Sequence, residues 1–178
     1  MLSLQALQQQ LEQQSAPLES WDPPFCGDMP LRIAQDGQWL YQGSPIGRLP
    51  LVKLFASVLV KEKQQYFLKT PLEKVRIQVD DVPFLIHDWH WQPTSSGNAL
   101  VAVTNLGDQL VISQQHPVRL QTYQEQLLPY IGVWRGLDAR LSRNVYYQWI
   151  EQALQSPQQD ANQLWLHSVN YRFLLGKL

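Results

Sequence analysis

Residues 31–60 read LRIAQDGQWLYQGSPIGRLPLVKLFASVLV, and the reading of this stretch decides the fold class. Leu31-Arg32-Ile33 and Trp39-Leu40-Tyr41 alternate apolar and polar positions around Asp36-Gly37. That dipeptide supplies the positive φ of a tight turn, so the run predicts a β-hairpin, closed by Gly43-Ser44-Pro45. Pro50 suits the first turn of a helix, where its missing N–H leaves no bond unmade. Leu51, Leu54, Phe55, Val58 and Leu59 then recur at the steps of one helical face. Strands and a helix follow one another directly, which is the pattern of an α+β fold.

Working outward, strands are expected at Tyr66–Lys69 and Lys74–Val79 around a turn at Thr70-Pro71, with Asp80-Asp81-Val82-Pro83 as a boundary. Beyond it, His87–Gln92, Leu100–Thr104 and Leu110–Ile112 read as strands, the last two joined through Asn105-Leu106-Gly107-Asp108. Val145, Trp149, Ile150 and Ala153 share one face of a helix over residues 143–154, with Ser142 as its N-cap. Leu164–Val169 and Arg172–Leu175 form a closing strand pair. At the N-terminus, the spacing of Leu4, Leu7, Leu11 and Leu18 predicts an amphipathic helix over residues 2–14, packed on the body rather than forming a dimer zipper.

The two halves match in element order. DGQWLYQGSPI (36–46) faces LGDQLVISQQHPV (106–118), and RLPLVKLFASVL (48–59) faces RLSRNVYYQWIEQAL (140–154). In this register Gly37 corresponds to Gly107 and Arg48 to Arg140, with an insertion in the second copy mostly at Gln121–Leu137. The expected organisation is an N-terminal helix and linker (1–20), a first α+β module (21–85) and a duplicated second module (86–178).

Composition removes several functions. The chain has 178 residues, 14 Lys plus Arg against 15 Asp plus Glu, and only 16% charged residues, while 25 glutamines carry much of the polarity. A net charge of -1 gives no long-range field to gather a nucleic acid polymer or an anionic membrane. The single cysteine, Cys26, excludes an internal disulfide and a multi-cysteine metal site, and fits a reducing compartment. The N-terminus lacks the basic start and apolar run of a signal peptide, and no stretch approaches the ~20 apolar residues of a membrane span. The chain is therefore expected to be soluble and cytoplasmic.

Few residues suggest chemistry. No histidine stands in a motif relation to Cys26, no G-x-S-x-G elbow occurs, and His87 and His90 would point to opposite faces of a strand. Neither catalysis, nor a metal, nor a cofactor is expected. The arginines are more suggestive. Arg119, Arg135, Arg140 and Arg143 fall in one lysine-free stretch, and Arg140 and Arg143 flank Ser142 at the predicted helix start. Free backbone amides there favour an anion, and guanidinium forks suit phosphate or carboxylate. Arg48 holds the corresponding place before the first helix, and Trp134, Tyr146 and Tyr147 offer rings for stacking. The other reading is that these arginines pair with Asp138, Asp36 or Glu73 and staple the modules.

The run WDPPFCGDMPLRIAQDGQWLYQGSPIGRLPLVKLFASVL (21–59), with YFLKTPLEKVRIQVDDVPF (66–84) and RGLDARLSRNVYYQWIEQAL (135–154), resembles a bacterial family of uncharacterised proteins, domain of unknown function 1285. The resemblance implies an α+β fold with internal duplication and a second domain loosely like a pleckstrin-homology fold. It also implies a ligand site between the modules for a nucleotide-like molecule and a signalling role. Its matching positions are Trp21, Phe25, Cys26, Gly27, Arg32, Asp36, Gly37, Arg48, Arg76, Arg140, Arg143 and Tyr146. Where the family often has proline after the position of Arg143, this chain has Asn144.

The expected function is thus a non-enzymatic, regulatory ligand-binding protein holding a small anionic ligand between its modules. Candidate binding residues are Trp21, Phe25, Cys26, Arg32, Arg48, Arg76, Trp134, Arg135, Arg140, Arg143 and Tyr146. The alternative is a protein-interaction module that docks a partner through its N-terminal helix or its tryptophans.

Overall fold

A computed structural model describes residues 3–12, 17–156, 160 and 162–177. The chain divides into two compact units, residues 1–81 and 82–178. Among the described residues, no helix is long and apolar enough to cross a membrane.

The first unit opens with α1 (Leu4–Glu12), which buries Leu7 and Leu11 against the unit and lies beside α2. Residues 13 and 14 of the expected helix lie outside the described residues, as does residue 2. A 3-10 turn (Leu18–Ser20) then leads to β1 (Phe25–Ile33), β2 (Trp39–Tyr41), β3 (Ser44–Pro45), α2 (Leu49–Ala56), β4 (Leu59–Glu62), β5 (Gln65–Lys69) and β6 (Lys74–Val79). The sheet order is β3-β2-β1-β6-β5-β4, with β1 and β6 parallel and every other pair antiparallel.

The Asp36-Gly37 hairpin forms as expected: Gly37 takes φ +84°, and the Asp36 carboxylate accepts from Gln38 N at 3.0 Å. Helix α2 is shorter than its apolar periodicity predicts. It ends at Ala56, where the Ser57 hydroxyl donates to Leu54 O at 2.6 Å. Val58, Leu59 and Val60 then leave the helix, and Leu59 and Val60 pair with Leu68 and Phe67 of β5. Two β-branched residues beside a ready strand partner outweigh the helical spacing.

The second unit holds β7 (Phe84–Thr94), β8 (Gly97–Thr104), β9 (Gln109–Val111), β10 (Val118–Tyr123), β11 (Gln126–Gly132), β12 (Asp138–Leu141), α3 (Arg143–Leu154), β13 (Gln163–Ser168) and β14 (Tyr171–Lys177). Its six-stranded sheet runs β10-β11-β12-β7-β8-β9, again with one parallel pair, β12 and β7. Helix α3 has the predicted bounds and the predicted cap, since the Ser142 hydroxyl accepts from Val145 N at 3.3 Å. The hairpin β13–β14 forms a separate two-stranded sheet.

Counted within each unit, both large sheets have the order third-second-first-sixth-fifth-fourth. The chain is a duplicated α+β protein. The register of the repeat differs from the one read in the sequence. Phe25 and Phe84 open the two first strands, and Leu59 and Val118 open the two fourth strands, each 59 residues apart. The segment Gln121–Leu137, expected as an insertion, instead holds most of the hairpin β10–β11, the counterpart of β4–β5. Helix α2 sits between third and fourth strands, whereas α3 follows the sixth, so Arg48 and Arg140 are not equivalent.

The cause is a shared turn used in two places. Gly37 N bonds to Ala34 O and Gly107 N to Thr104 O, both at 2.9 Å, yet the first turn joins strands one and two and the second joins strands two and three.

The hairpin β4–β5 turns through Lys63 and Gln64 (φ 50° and 68°), and β10–β11 through Gln124 and Glu125 (φ 48° and 67°). Positive φ at both central residues is what a type I′ hairpin turn requires, and it costs an L-residue about 1–2 kcal/mol. Glu125→Gly is therefore expected to raise stability by about 0.5–1 kcal/mol in urea unfolding, after glycine's own entropy loss. A lowered midpoint would count against this turn geometry.

Candidate functional site

The sixth strands place the most informative residues. Along β1, Met29, Leu31 and Ile33 are buried while Asp28 and Arg32 point outward; along β6, Val75 and Ile77 are buried while Arg76 and Gln78 point outward. The parallel register sets Asp28 beside Arg76 and Arg32 beside Gln78. Arg76 Nε donates to Asp28 Oδ1 at 2.5 Å, and the Arg32 fork grips both Asp80 oxygens, with Nε to Oδ1 at 2.8 Å. These hydrogen bonds hold the Asp28 and Asp80 carboxyls below the ordinary value of 3.8 and raise both arginines.

Arg32, Arg76, Asp80, Gln64, Gln65 and Gln78 line one open groove of about 500 Å³ on this unit. Beside it, Phe25 is 50% exposed, meets Phe67 edge-on at 5.9 Å, and lies 5.5 Å from the Arg76 guanidinium.

A carboxylate with a depressed folded pKa stabilises the fold above its unfolded value, and that contribution is lost as pH falls through the folded value. Acid unfolding is thus expected to steepen below about pH 4. Arg32→Ala combined with Arg76→Ala should flatten that limb by lowering stability near neutrality toward its acid value, and only slightly, because exposed pairs contribute little. An unchanged acid limb in the double variant would remove the two pairs as its cause.

The remaining sequence candidates lie as follows. Trp21 is half-buried, with its indole N–H enclosed and without a hydrogen-bond partner among the described residues. Cys26 is exposed and its thiol donates to Pro24 O at 3.2 Å. Arg48 is exposed at the start of α2, and its side chain makes no capping bond. Trp134 packs edge-on against Phe84 at 5.6 Å. Arg135 sits at a turn tip with φ 50°, followed by Gly136 at φ 74°. Arg143 is exposed in the first turn of α3. Tyr147 is 55% exposed, its ring 6.1 Å from that of Tyr146.

Arg140 is 7% exposed and lies 3.9 Å over the Tyr123 ring. Tyr146 packs on the cluster of Val82, Leu128 and Tyr130, and burial, then Tyr147, pushes its hydroxyl above the usual range. The reading that arginines serve as ion-pair partners holds for Arg119, whose fork grips both Asp138 oxygens at 2.9 and 3.0 Å. Asp36 instead accepts from Gln38 N, and Glu73 from the Gln10 amide at 3.3 Å.

The structure therefore gathers Phe25, Arg32 and Arg76 in the first unit, and Arg140 and Tyr146 near a shared aromatic cluster in the second. Sequence reading missed Asp28, Asp80, Phe67 and the groove glutamines. For Asp28, Gln78 and Asp80 the available signal was the period-two alternation of Asp28-x-Pro30-x-Arg32 against Lys74-x-Arg76-x-Gln78-x-Asp80, which places them on one face with the two arginines.

The repeat also assigns Arg140 a different partner from the one read in the sequence. On the sixth strands Arg76 pairs in register with Phe67, and Arg140 with Tyr130, so each unit sets its arginine beside an aromatic residue of its fifth strand. Arg76 is the counterpart of Arg140.

A family model described as the N-terminal domain of a domain of unknown function (DUF1285) matches residues 16–82. A second, described as the C-terminal domain of a protein of unknown function (DUF1285), matches residues 83–175. The chain belongs to the DUF1285 family. It is similar to the crystal structure, at 2.50 Å resolution, of a DUF1285 family protein from Silicibacter pomeroyi DSS-3. The two share 33% sequence identity with a TM-score of 0.86, over 100% of this chain and 97% of that one. A DUF1285 family protein from Shewanella baltica OS155, solved at 1.40 Å, is 31% identical with a TM-score of 0.55, over 70% of this chain and 92% of that one. No curated protein matches the chain.

Proposed function

We propose that this DUF1285 protein is a non-enzymatic ligand-binding protein with a regulatory or signalling role, and that its first unit holds a small anionic ligand. The observation that carries this reading is that Arg32 and Arg76 line one open groove together with three glutamine side chains. Each guanidinium has an aspartate partner, but these are exposed pairs, with Arg32 and Arg76 side chains 50% and 38% accessible. Such pairs gain little in water. A phosphate offers more charge and more acceptor oxygens than one carboxylate, so it competes for the same forks. The amides of Gln64, Gln65 and Gln78 supply donors and acceptors for the uncharged part of a ligand.

A binder is favoured over a catalyst by the chemistry of the groove itself. Amides do not titrate, arginine stays charged, and Asp80 is held ionised by Arg32, so none of these groups is poised to move a proton near neutral pH. The docking alternative draws less support. The apolar side of α1 is already buried in the first unit, and no tryptophan is exposed: Trp39 and Trp149 are buried and the other five half-buried.

Thermal shift with inorganic phosphate and a panel of mononucleotides tests the proposal. At least one of these anions is expected to stabilise the parent chain, and Arg32→Ala with Arg76→Ala is expected to weaken it about tenfold or more. Equal stabilisation of the double variant, or none of the parent, would refute the reading.

A further inference from the structure

A smaller cavity of about 270 Å³, lined by Asp28, Met29, Arg76, Ile77 and Gln78, adjoins the groove and shares Arg76, Ile77 and Gln78 with it. The charged residues lining the two are Arg32, Arg76, Asp28 and Asp80, so their formal charges cancel. An anion is therefore drawn there by direct contact rather than by a net positive field.

The two aspartates differ in what they have left to offer. Asp80 gives both oxygens to the Arg32 fork, accepts a further bond from the Gln35 backbone, and has a side chain only 20% accessible. Asp28 accepts from Arg76 Nε through Oδ1 alone, and that bond keeps its carboxyl ionised. Among the described residues the Asp28 Oδ2 has no hydrogen-bond partner, and the side chain is 66% accessible. Arg76 uses only Nε in this pair, so its Nη1 and Nη2 also have no hydrogen-bond partner among the described residues. One ion pair thus offers a carboxylate oxygen for a cation and guanidinium nitrogens for an anion.

We infer that the ligand of the first unit is a small zwitterion, with an ammonium group at Asp28 and, a short chain away, an anionic group on the terminal nitrogens of Arg76. An ammonium is a compact charge with three donors and suits a single open carboxylate oxygen, whereas the guanidinium fork suits a carboxylate or phosphate. A ligand that brings both charges meets a partner of opposite sign at each end and leaves the charge balance of the site undisturbed. This rests on the anion-binding reading above and adds a cationic group and the residue that receives it.

NMR titration of the full chain with 4-aminobutanoate, butanoate and inorganic phosphate tests it. 4-Aminobutanoate is expected to bind about three- to fivefold tighter than butanoate, the gain from one exposed ion pair. Asp28→Asn keeps an acceptor for Arg76 Nε and removes the charge. It should erase the advantage of the ammonium group, while phosphate, which has no cationic end, should bind more tightly. Equal affinities for the two carboxylates in the parent, beside measurable phosphate binding, would overturn the zwitterion and leave the anion reading standing. An ammonium advantage that survives Asp28→Asn would overturn Asp28 as its acceptor. No binding of any of the three probes would remove both readings together.

Discussion

Trp149→Ala is expected to destabilise the chain by about 3–5 kcal/mol in denaturant unfolding, the range for deleting a fully buried aromatic ring. Trp149 is 0% exposed on the inner face of α3, between Val145 and Ala153, which are also buried. Its ring lies 5.9 Å from that of Phe173 at an interplanar angle of 57°, so it joins the helix to the β14 strand. Its indole N–H has no hydrogen-bond partner among the described residues. The side chain therefore acts as apolar mass, with one polar atom that gains nothing from burial. Trp149→Phe separates these contributions: it keeps most of the ring and removes the unpaired N–H, and is expected to cost about 1–2 kcal/mol. Similar losses for both substitutions would show that the N–H matters and the ring volume does not.

Thr70→Val is expected to cost about 2–3 kcal/mol, although the two side chains have nearly the same shape. Thr70 is 0% exposed. Its hydroxyl donates to Gln10 Oε1 at 2.7 Å and accepts from Leu72 N at 3.2 Å and Glu73 N at 3.0 Å. Valine would leave two backbone N–H groups without their partner in the turn between β5 and β6, and would release the α1 side chain that reaches it. Thr70→Ser should retain most of the stability, because the oxygen stays in place. Amide exchange in α1 provides an independent readout: it should quicken in Thr70→Val and change little in Thr70→Ser. Unchanged exchange in Thr70→Val would mean that α1 is held by Leu7 and Leu11 alone. Thr104 does the same work in the second unit, accepting from Leu106 N and Asp108 N at 3.3 and 3.1 Å.

The sequence was most legible where one local cause acted alone. Asp36-Gly37 announced its hairpin, and Ser142 with the Val145, Trp149 and Ala153 spacing announced α3 with its bounds. Legibility failed where the cause was distant or where two local causes competed. The turns at Lys63-Gln64 and Gln124-Glu125 carry no glycine or asparagine, so the hairpins they close give no turn signal, and most of β10 and β11 falls in a stretch that reads as an insertion. Val58 and Leu59 fit the helical face of α2 in spacing, yet the pairing of β4 with β5 takes Leu59 out of the helix. The helices suggest one register for the two halves, but the topology places them at different points of the repeat.

The groove was half legible. Arg32, Arg76 and Phe25 stood out as residues, while the acids that engage the arginines lie 48 positions away in both pairs. Only the parallel pairing of the first and sixth strands brings them together.

That parallel pairing also sets a timetable for synthesis. In each six-stranded sheet it joins the strand made first to the strand made last, and both sit in the middle of that sheet. Local hairpins such as β4–β5 can close while the chain is still emerging from the ribosome, but no sheet is continuous until its sixth strand is free. A ribosome stalled before residue 74 would hold two half-sheets with bare central edges, and the first unit would be completed by the few residues from Lys74 to Val79.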